Sequence, residues 1–312
     1  MKCHGDDFLS SRGTDEDNIE YPDNLVFLLK STMNDVTELD NQWNPRLAVP
    51  DFQTHLNHAA ERSLAVRKQL HCNLDVRYGD GPLQTLDVFR GAGKDLPVYV
   101  FIHGGFWRGL DKGIYSEIAM PAVASGAVSI LVNYDLCPEV TVDDIVCQIR
   151  ACVAWIYGHV SSYGGNPDQI TLCGHSAGAH LAAMAICHDW AGNNLPVDII
   201  KAVTLISGIY DLTIVPRLSV NEEIRLTHEM ACRNSVMFLD PTVFCKVLVA
   251  VGGDEQSPWI QQSLDYAEKL ERNGLSTEYM ELTGEHHFSV ADGLANPEHA
   301  LTKACLRLVH GR

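Results

Sequence analysis

A single serine near the middle of the chain lies between a strand pattern and a helix pattern. Residues 170–173 read as a short apolar strand, residues 174–178 read Gly-His-Ser-Ala-Gly, and a run rich in alanine follows. Gly-x-Ser-x-Gly in this setting is typical of a nucleophile elbow, a tight turn that projects the serine hydroxyl from the carboxyl edge of a sheet. Glycine at both ends of the motif leaves room for the helix to pack on the strand. The pattern therefore predicts that Ser176 is a nucleophile.

Strand and helix patterns alternate around this motif. Apolar runs of strand length, which are expected for strands buried on both faces, occur at 97–102, 127–133, 202–207 and 247–251. Residues 74–78 and 85–90, joined by Gly-Asp-Gly-Pro, predict an antiparallel hairpin, and residues 142–156 carry apolar side chains at helical spacing. Together with the serine motif, the alternation predicts an α/β-hydrolase fold, with a mostly parallel central sheet and helices on both faces.

The domain organisation is predicted from composition and pattern. Residues 1–20 are polar and acidic and predict a disordered tail. With 46% apolar residues, the remainder of the 312-residue chain can bury a large core, so 21–312 is predicted as a single domain. Within it, 21–70 precedes the first strand and is expected to lie over the sheet as a lid or brace. Residues 212–244 form a long insertion between two predicted core strands.

Charge and cysteine usage restrict the partners and the compartment. A net charge of −17 disfavours a nucleic-acid partner or an anionic membrane surface, both of which favour clustered lysine and arginine. The ten cysteines are scattered without a Cys-x-x-Cys pair, which indicates free thiols in a reducing compartment. The first residues do not resemble a secretory signal, and no apolar run reaches transmembrane length. We therefore predict a cytoplasmic protein that acts on a small molecule, and its oligomeric state is left open between a monomer and a homodimer.

A serine nucleophile requires an acid that orients its base. In the α/β-hydrolase order the acid follows the serine and precedes the histidine. Asp254 comes just after the predicted strand at 247–251, where active-site groups of open sheets collect, and it is the predicted acid. Asp211, which follows the preceding strand, and Glu255, next to Asp254, are the alternatives.

The base is expected near the end of the chain. Two neighbouring histidines follow the last predicted strand, and we predict His287 as the base, with His286 as the alternative. No set of side chains has the spacing of a metal site, since His175 and His180 lack the His-Glu-x-x-His pattern. The predicted hydrolase therefore uses neither a metal nor a cofactor.

A His-Gly-Gly-Phe-Trp run at 103–107 directly follows another predicted strand. Backbone amides in a loop of this type, with the amide that follows the nucleophile, form the oxyanion hole of many such enzymes. We therefore expect the amides of Gly104, Gly105 and Ala177 to bind the oxyanion. Phe106 and Trp107 lie beside this loop and are predicted to stack on an aromatic substrate, although core packing would explain a large aromatic residue there equally well.

The 103–107 run and the Gly-His-Ser-Ala-Gly motif resemble those of the arylformamidase (kynurenine formamidase) family, α/β hydrolases related to the hormone-sensitive-lipase-like esterases. Trp43-Asn44-Pro45-Arg46 also resembles an early segment of that family, and Phe106 departs from it where many members carry tyrosine. The resemblance implies metal-free hydrolysis of N-formyl-L-kynurenine to L-kynurenine and formate in tryptophan catabolism. It carries the triad roles over to Ser176, Asp254 and His287.

Three functions are compatible with these features. The preferred one is a serine hydrolase that takes an aromatic formamide through a formyl-enzyme intermediate. A general carboxylesterase acting on small aryl or acyl esters would need the same catalytic groups and differ only in its pocket. A non-catalytic, hydrolase-like binding protein is disfavoured, because the sequence offers a complete set of catalytic residues.

Overall fold

A computed structural model describes residues 36–311, and it is built around one eight-stranded sheet. The predicted tail, 1–20, lies outside the described residues. The strands are β1 Cys72–Arg77, β2 Thr85–Phe89, β3 Leu96–Ile102, β4 Val128–Val132, β5 Gly165–His175, β6 Ile200–Ile206, β7 Lys246–Gly252 and β8 Ser276–Leu282. Their order across the sheet is β1-β2-β4-β3-β5-β6-β7-β8.

Strand β2 is antiparallel to both of its neighbours, whereas the strands from β4 to β8 pair in parallel. The register aligns Val98 with Val128 on one side of β3 and with Ile170 on the other. Every residue of β4 is buried, as expected for a central strand covered on both faces, while β8 at the edge is mostly half-buried or exposed. The predicted hairpin and the predicted α/β-hydrolase fold are both confirmed.

The helices lie between the strands and on both faces of the sheet. The α-helices are α1, described over 36–43, α2 Pro45–Ala48, α3 Phe52–Gln69, α4 Ala119–Ala124, α5 Val142–His159, α6 Ala177–Ile186, α7 Asn221–Ile224, α8 His228–Asn234, α9 Ser257–Arg272, α10 Ser289–Asp292 and α11 Ala300–Val309. Short 3-10 helices occupy Lys112–Ile118, Val160–Tyr163, Ala191–Asn193, Leu212–Arg217, Val236–Phe238 and Gly293–Ala295. No helix within residues 36–311 is both long and apolar enough to cross a membrane.

Helix α1 and the residue that follows it are held against distant parts of the chain. The Asp40 carboxylate accepts a hydrogen bond from the amide of Ser219, at 3.0 Å, and the Gln256 side chain donates to the carbonyl of Asn44, at 3.3 Å. The rings of Trp43 and Trp259 lie 6.0 Å apart. These contacts fix the segment that precedes β1 against α9 and against the region between β6 and β7.

Candidate active site

The nucleophile elbow forms where β5 ends and α6 begins. Ser176 has φ 57° and ψ −123°, a strained conformation for a residue with a side chain, and its amide donates to the carbonyl of Ile206 at 2.8 Å. A Cβ atom on Gly174 would lie 2.2 Å from the carbonyl oxygen of Gly178, and one on Gly178 would lie 2.0 Å from that of Ile102. The motif needs both glycines because backbone occupies the space that a side chain would require.

The base and a carboxylate form a buried pair next to the elbow. His287 Nδ1 lies 2.7 Å from Glu255 Oε2, and both side chains are almost completely buried. The second oxygen, Oε1, accepts hydrogen bonds from the hydroxyl of Ser207 and from the amide of Gly252. A carboxylate held in this way fixes the tautomer of the imidazole, with the proton on Nδ1 and a free lone pair on Nε2.

The predicted acid, Asp254, does not contact the base. Its side chain is exposed, and its amide donates to the carbonyl of Glu285 at 2.9 Å. The turn after β7 directs the next side chain, that of Glu255, inward. Asp211 has another role, since it caps the 3-10 helix at Leu212–Arg217 by accepting from the amide of Thr213 at 2.9 Å. We therefore replace Asp254 by Glu255 as the acid of the candidate triad.

The two neighbouring histidines point in different directions. His286 Nδ1 lies 3.2 Å from the amides of Phe288 and Ser289, so that its ring caps a turn instead of facing the elbow. His287 lines the same cavity as Ser176. This geometry favours His287 over His286 as the base.

A further histidine, His175, supports the base from within the elbow. Its Nε2 lies 2.8 Å from the carbonyl oxygen of His287, and the two rings are 4.7 Å apart. Because a carbonyl only accepts, Nε2 carries the proton and Nδ1 is an acceptor, which has no partner among the described residues. Burial, followed by the nearby His287, lowers the pKa of His175 well below its usual value, so that this ring is neutral.

The loop that carries the predicted oxyanion donors approaches the nucleophile closely. A Cβ atom on Gly104 would lie 2.8 Å from Cβ of Ser176, and Gly105 has φ +110°. Within residues 36–311, the amides of Gly104, Gly105 and Ala177 donate to no other group. Ala177 is the first residue of α6, where the helix dipole adds partial positive charge. The structure therefore brings together the three predicted donors and Ser176.

A buried polar network holds this loop in place. His103 Nε2 lies 3.0 Å from Asn133 Oδ1, and the hydroxyl of Tyr134 donates to the carbonyl of His103 at 2.8 Å. Asn133 also accepts from the amide of Lys112 and donates to the carboxylate of Asp111. These supporting residues are not apparent from the sequence, because no local motif marks a network whose members lie on two separate loops and at the start of a 3-10 helix.

The two aromatic residues of the loop have different environments. Phe106 is half-buried and lines the cavity beside Ser176. Trp107 is completely buried and does not line it, and its Nε1 donates to Nδ1 of His180 at 3.2 Å. The prediction that Trp107 contacts the substrate is therefore corrected. Its side chain packs in the core and holds the loop through its hydrogen bond to His180.

The cavity beside the elbow is lined by Ser176 and His287 together with Asn44, Pro45, Arg46, Leu56, Gly105, Phe106, Arg108, Leu110, Tyr115, His175 and Phe288. Several of these come from α2 and α3, which precede the sheet. The segment expected to be a lid or brace therefore supplies one wall of the cavity.

Metal-binding side chains are not clustered in this region. Among residues 36–311, no three histidine, cysteine, aspartate or glutamate side chains are grouped so that they could hold a metal ion. The groups that the cavity presents near Ser176 are imidazoles, backbone amides and guanidinium groups, which suit proton transfer and the binding of negative charge.

Fold and site together define the chain as an α/β hydrolase. A family model described as alpha/beta hydrolase fold matches residues 99–290. A solved structure from Silicibacter sp. tm1040, assigned as a thioesterase, superposes with a TM-score of 0.76 at 29% identity, covering 86% of this chain and 99% of that one.

Two fish proteins are similar over nearly their whole length. The kynurenine formamidase of Danio rerio is 34% identical, over 90% of this chain and 98% of its own. That of Salmo salar is 33% identical, over 86% of this chain and 93% of its own. The chain therefore belongs to the kynurenine formamidase family of α/β hydrolases, as the resemblance of its motifs predicted, and it is a hydrolase.

Proposed function

We propose that the protein hydrolyses N-formyl-L-kynurenine to L-kynurenine and formate, a step of tryptophan catabolism. The observation that carries this proposal is that Ser176 and His287 line one cavity, with Glu255 behind the base, in a chain that matches kynurenine formamidases over almost their full length. Phe106 provides an aromatic surface in the same cavity, which suits the aryl ring of this substrate.

The reaction proceeds in two steps. Ser176 Oγ attacks the formyl carbon while His287 Nε2 takes the hydroxyl proton, and the resulting oxyanion accepts hydrogen bonds from the amides of Gly104, Gly105 and Ala177. When the C–N bond breaks, His287 returns the proton to the aniline nitrogen, which leaves as kynurenine. Water, deprotonated by His287, then attacks the formyl ester, and formate leaves as the proton returns to Ser176.

Glu255 supports both steps without changing its own protonation. Its hydrogen bond to His287 Nδ1 orients the ring and stabilises the imidazolium that forms in each step. Ser207 and Gly252 hold the other carboxylate oxygen, so the carboxylate does not have to reorganise during the reaction.

A series of acyl groups on one aryl amine tests the proposal. A formyl carbon bears only hydrogen, so an enzyme with a small acyl pocket should lose kcat/KM by roughly 10- to 200-fold for each methylene that does not fit. We expect formyl to exceed acetyl, and acetyl to exceed butyryl. If the butyryl amide reacts as fast as the formyl amide, the protein is a general carboxylesterase instead.

The nucleophile is tested separately. Ser176→Ala should reduce turnover on the order of 10⁶-fold, as loss of a triad serine does in subtilisin. In the wild-type protein an organophosphate should label Ser176. Near-normal hydrolysis by Ser176→Ala would exclude the formyl-enzyme intermediate.

A further inference from the structure

Two guanidinium groups line the cavity that contains Ser176 and His287. Arg46 lies on α2, and Arg108 follows the oxyanion loop, so the two come from distant parts of the chain. Each is only partly exposed. A cavity built only to hold an uncharged aryl formamide would need neither group.

Arg108 already has a carboxylate partner. Its Nη1 lies 2.6 Å from Glu223 Oε1, and the Glu223 side chain is 57% exposed. Its Nε is buried, however, and has no hydrogen-bond partner among the described residues. One nitrogen of this guanidinium, Nη1, is therefore paired at the surface. Another, Nε, carries an N–H that donates to no group among the described residues.

Arg46 has no such partner. Within residues 36–311, no carboxylate lies within ion-pair distance of its guanidinium, which is placed over the ring of Phe52 at 5.3 Å from the centroid. The charged or titratable groups that act on it from neighbouring elements are Arg108, Glu223 and Tyr115. Burial first, and then the charge of Arg108, lower its pKa, but a guanidinium remains protonated at neutral pH.

The excess of positive charge in this cavity is unexpected, because acidic residues outnumber basic ones in the chain as a whole. The sequence has 40 acidic residues against 23 lysines and arginines, so carboxylates are abundant. Nevertheless, the half-buried Arg46 has no carboxylate partner among residues 36–311, and it lies close to a second cation, Arg108. Burying part of a guanidinium without a counter-ion costs free energy, which a bound anion would recover. An anionic ligand group at this position is the simplest counter-ion for the positive charge that Arg46 and Arg108 place in the cavity.

We propose that Arg46, assisted by Arg108, binds a carboxylate of the substrate and so selects aromatic formamides that carry one. The inference rests on the proposed function, since N-formyl-L-kynurenine carries an α-carboxylate away from its formamide. The planar guanidinium suits a carboxylate because it can donate two parallel hydrogen bonds. Arg46 is thus a specificity residue, while the triad acts at the other end of the substrate.

The test compares N-formylkynurenine with its α-carboxamide, which has nearly the same shape without the negative charge. For the wild-type protein we expect a higher kcat/KM with the carboxylate. Arg46→Gln should lower kcat/KM for the carboxylate by about 10- to 100-fold, mainly through KM, and leave the carboxamide almost unchanged. Arg46→Lys should recover part of the loss because it keeps the charge but not the forked geometry.

A matched control removes a different arginine. Arg307 pairs with Glu278 on the surface, and Arg307→Gln should not distinguish the two substrates. An equal loss on both substrates in Arg46→Gln would mean that Arg46 only supports the fold, and the proposal would be overturned. A wild-type protein that does not prefer the carboxylate would overturn it as well, even if no Arg46 variant folds.

Failure of the proposed function gives a different result. In that case the wild-type protein would hydrolyse neither formamide but would cleave aryl esters. The same comparison is then made with 4-acetoxybenzoate and 4-acetoxybenzamide, which differ in the same charge. A preference for the benzoate that disappears in Arg46→Gln supports the role of Arg46 with a different reaction, and the absence of any preference excludes it.

Discussion

Glu255 makes three hydrogen bonds with its two carboxylate oxygens. One is to His287, and the other two, to Ser207 and Gly252, prevent the carboxylate from rotating. An acid in a triad acts by holding the imidazole, so the rigidity of its own contacts determines how well it does so. The side chain is completely buried, which also keeps water away from the pair.

Paired substitutions at adjacent positions test this assignment. Glu255→Gln should lower kcat by about 10⁴-fold, because an amide cannot hold the imidazole in the required tautomer. Asp254→Asn should retain nearly full activity, since that side chain is exposed and the backbone bond of residue 254 is unchanged. Steady-state kinetics with one formamide measure both. A large loss in Asp254→Asn with an active Glu255→Gln would restore the assignment made from the sequence.

The sequence locates the acid to within one residue but does not choose between two neighbours. The sequence shows where the strand before Gly252 ends, because the apolar run stops there. Which of the next side chains points inward depends on the turn, and the amides of Gly253 and Asp254 are fixed by the carbonyls of Leu282 and Glu285. These contacts join segments far apart in the chain, and local pattern carries no information about them.

At the scale of elements, the loop after β3 combines two functions in neighbouring aromatic residues. Phe106 faces the cavity, while Trp107 reaches into the core and donates to His180 on α6. The two neighbouring side chains leave the backbone in different directions, so that one anchors the loop in the core while the other lines the cavity. The positive φ of both residues, 50° and 56°, belongs to this tight path.

Truncation of each aromatic residue should have a different effect. Trp107→Ala removes a fully buried side chain and should lower the free energy of unfolding by about 3 to 5 kcal/mol. It should also reduce hydrolysis of aryl and alkyl substrates alike. Phe106→Ala should leave stability nearly unchanged and weaken aryl substrates selectively. Urea unfolding and the ratio of aryl to alkyl kcat/KM measure these effects, and a selective aryl loss in Trp107→Ala would contradict the structure.

The core strands could be predicted from the sequence, whereas the position of the helices that form the cavity wall could not. Strands such as β4 and β6 consist mostly of apolar residues, and the amphipathic helix α5 is marked by its periodicity. Residues 52–69 also read as helical in the sequence, but α3 has few buried residues along its length, so its pattern does not show which face packs against the sheet. The position of the segment that precedes β1 depends on contacts with Ser219 and Gln256, so the sequence suggested a lid or brace without placing Arg46 in the cavity.

At the scale of the whole molecule, burial lowers the pKa of three buried histidines within residues 36–311. Burial lowers the pKa of His103 and, much further, that of His175, and it lowers the pKa of His180 to about 4. In the unfolded chain each histidine takes up a proton near pH 6.5. Their contribution to stability is therefore complete above this pH and is lost progressively as the pH falls towards the folded pKa values.

We accordingly expect the free energy of unfolding to fall between pH 7.5 and pH 5. For His180 alone the loss at pH 5 is about 2 kcal/mol, because the folded pKa lies below this pH and each pH unit under 6.5 costs about 1.4 kcal/mol. Urea titrations at several pH values provide the measurement. His180→Asn cannot take up a proton and should show a weaker dependence on pH. An identical slope in this variant would show that His180 does not contribute.

The cavity wall formed by α2 and α3 lies outside residues 99–290, which are the part of the chain that matches the family model of the α/β-hydrolase fold. One part of the cavity wall is therefore encoded in a stretch of the gene separate from the one that carries Ser176, Glu255 and His287, while Phe106 and Arg108 belong to the same stretch as these three residues. Exchange of residues 36–70 between two members of the family should transfer substrate preference while leaving the rate of acyl transfer to Ser176 unaltered. Enzymes organised in this way can acquire new substrates through changes in a short leading segment, and the strained catalytic turn need not be rebuilt.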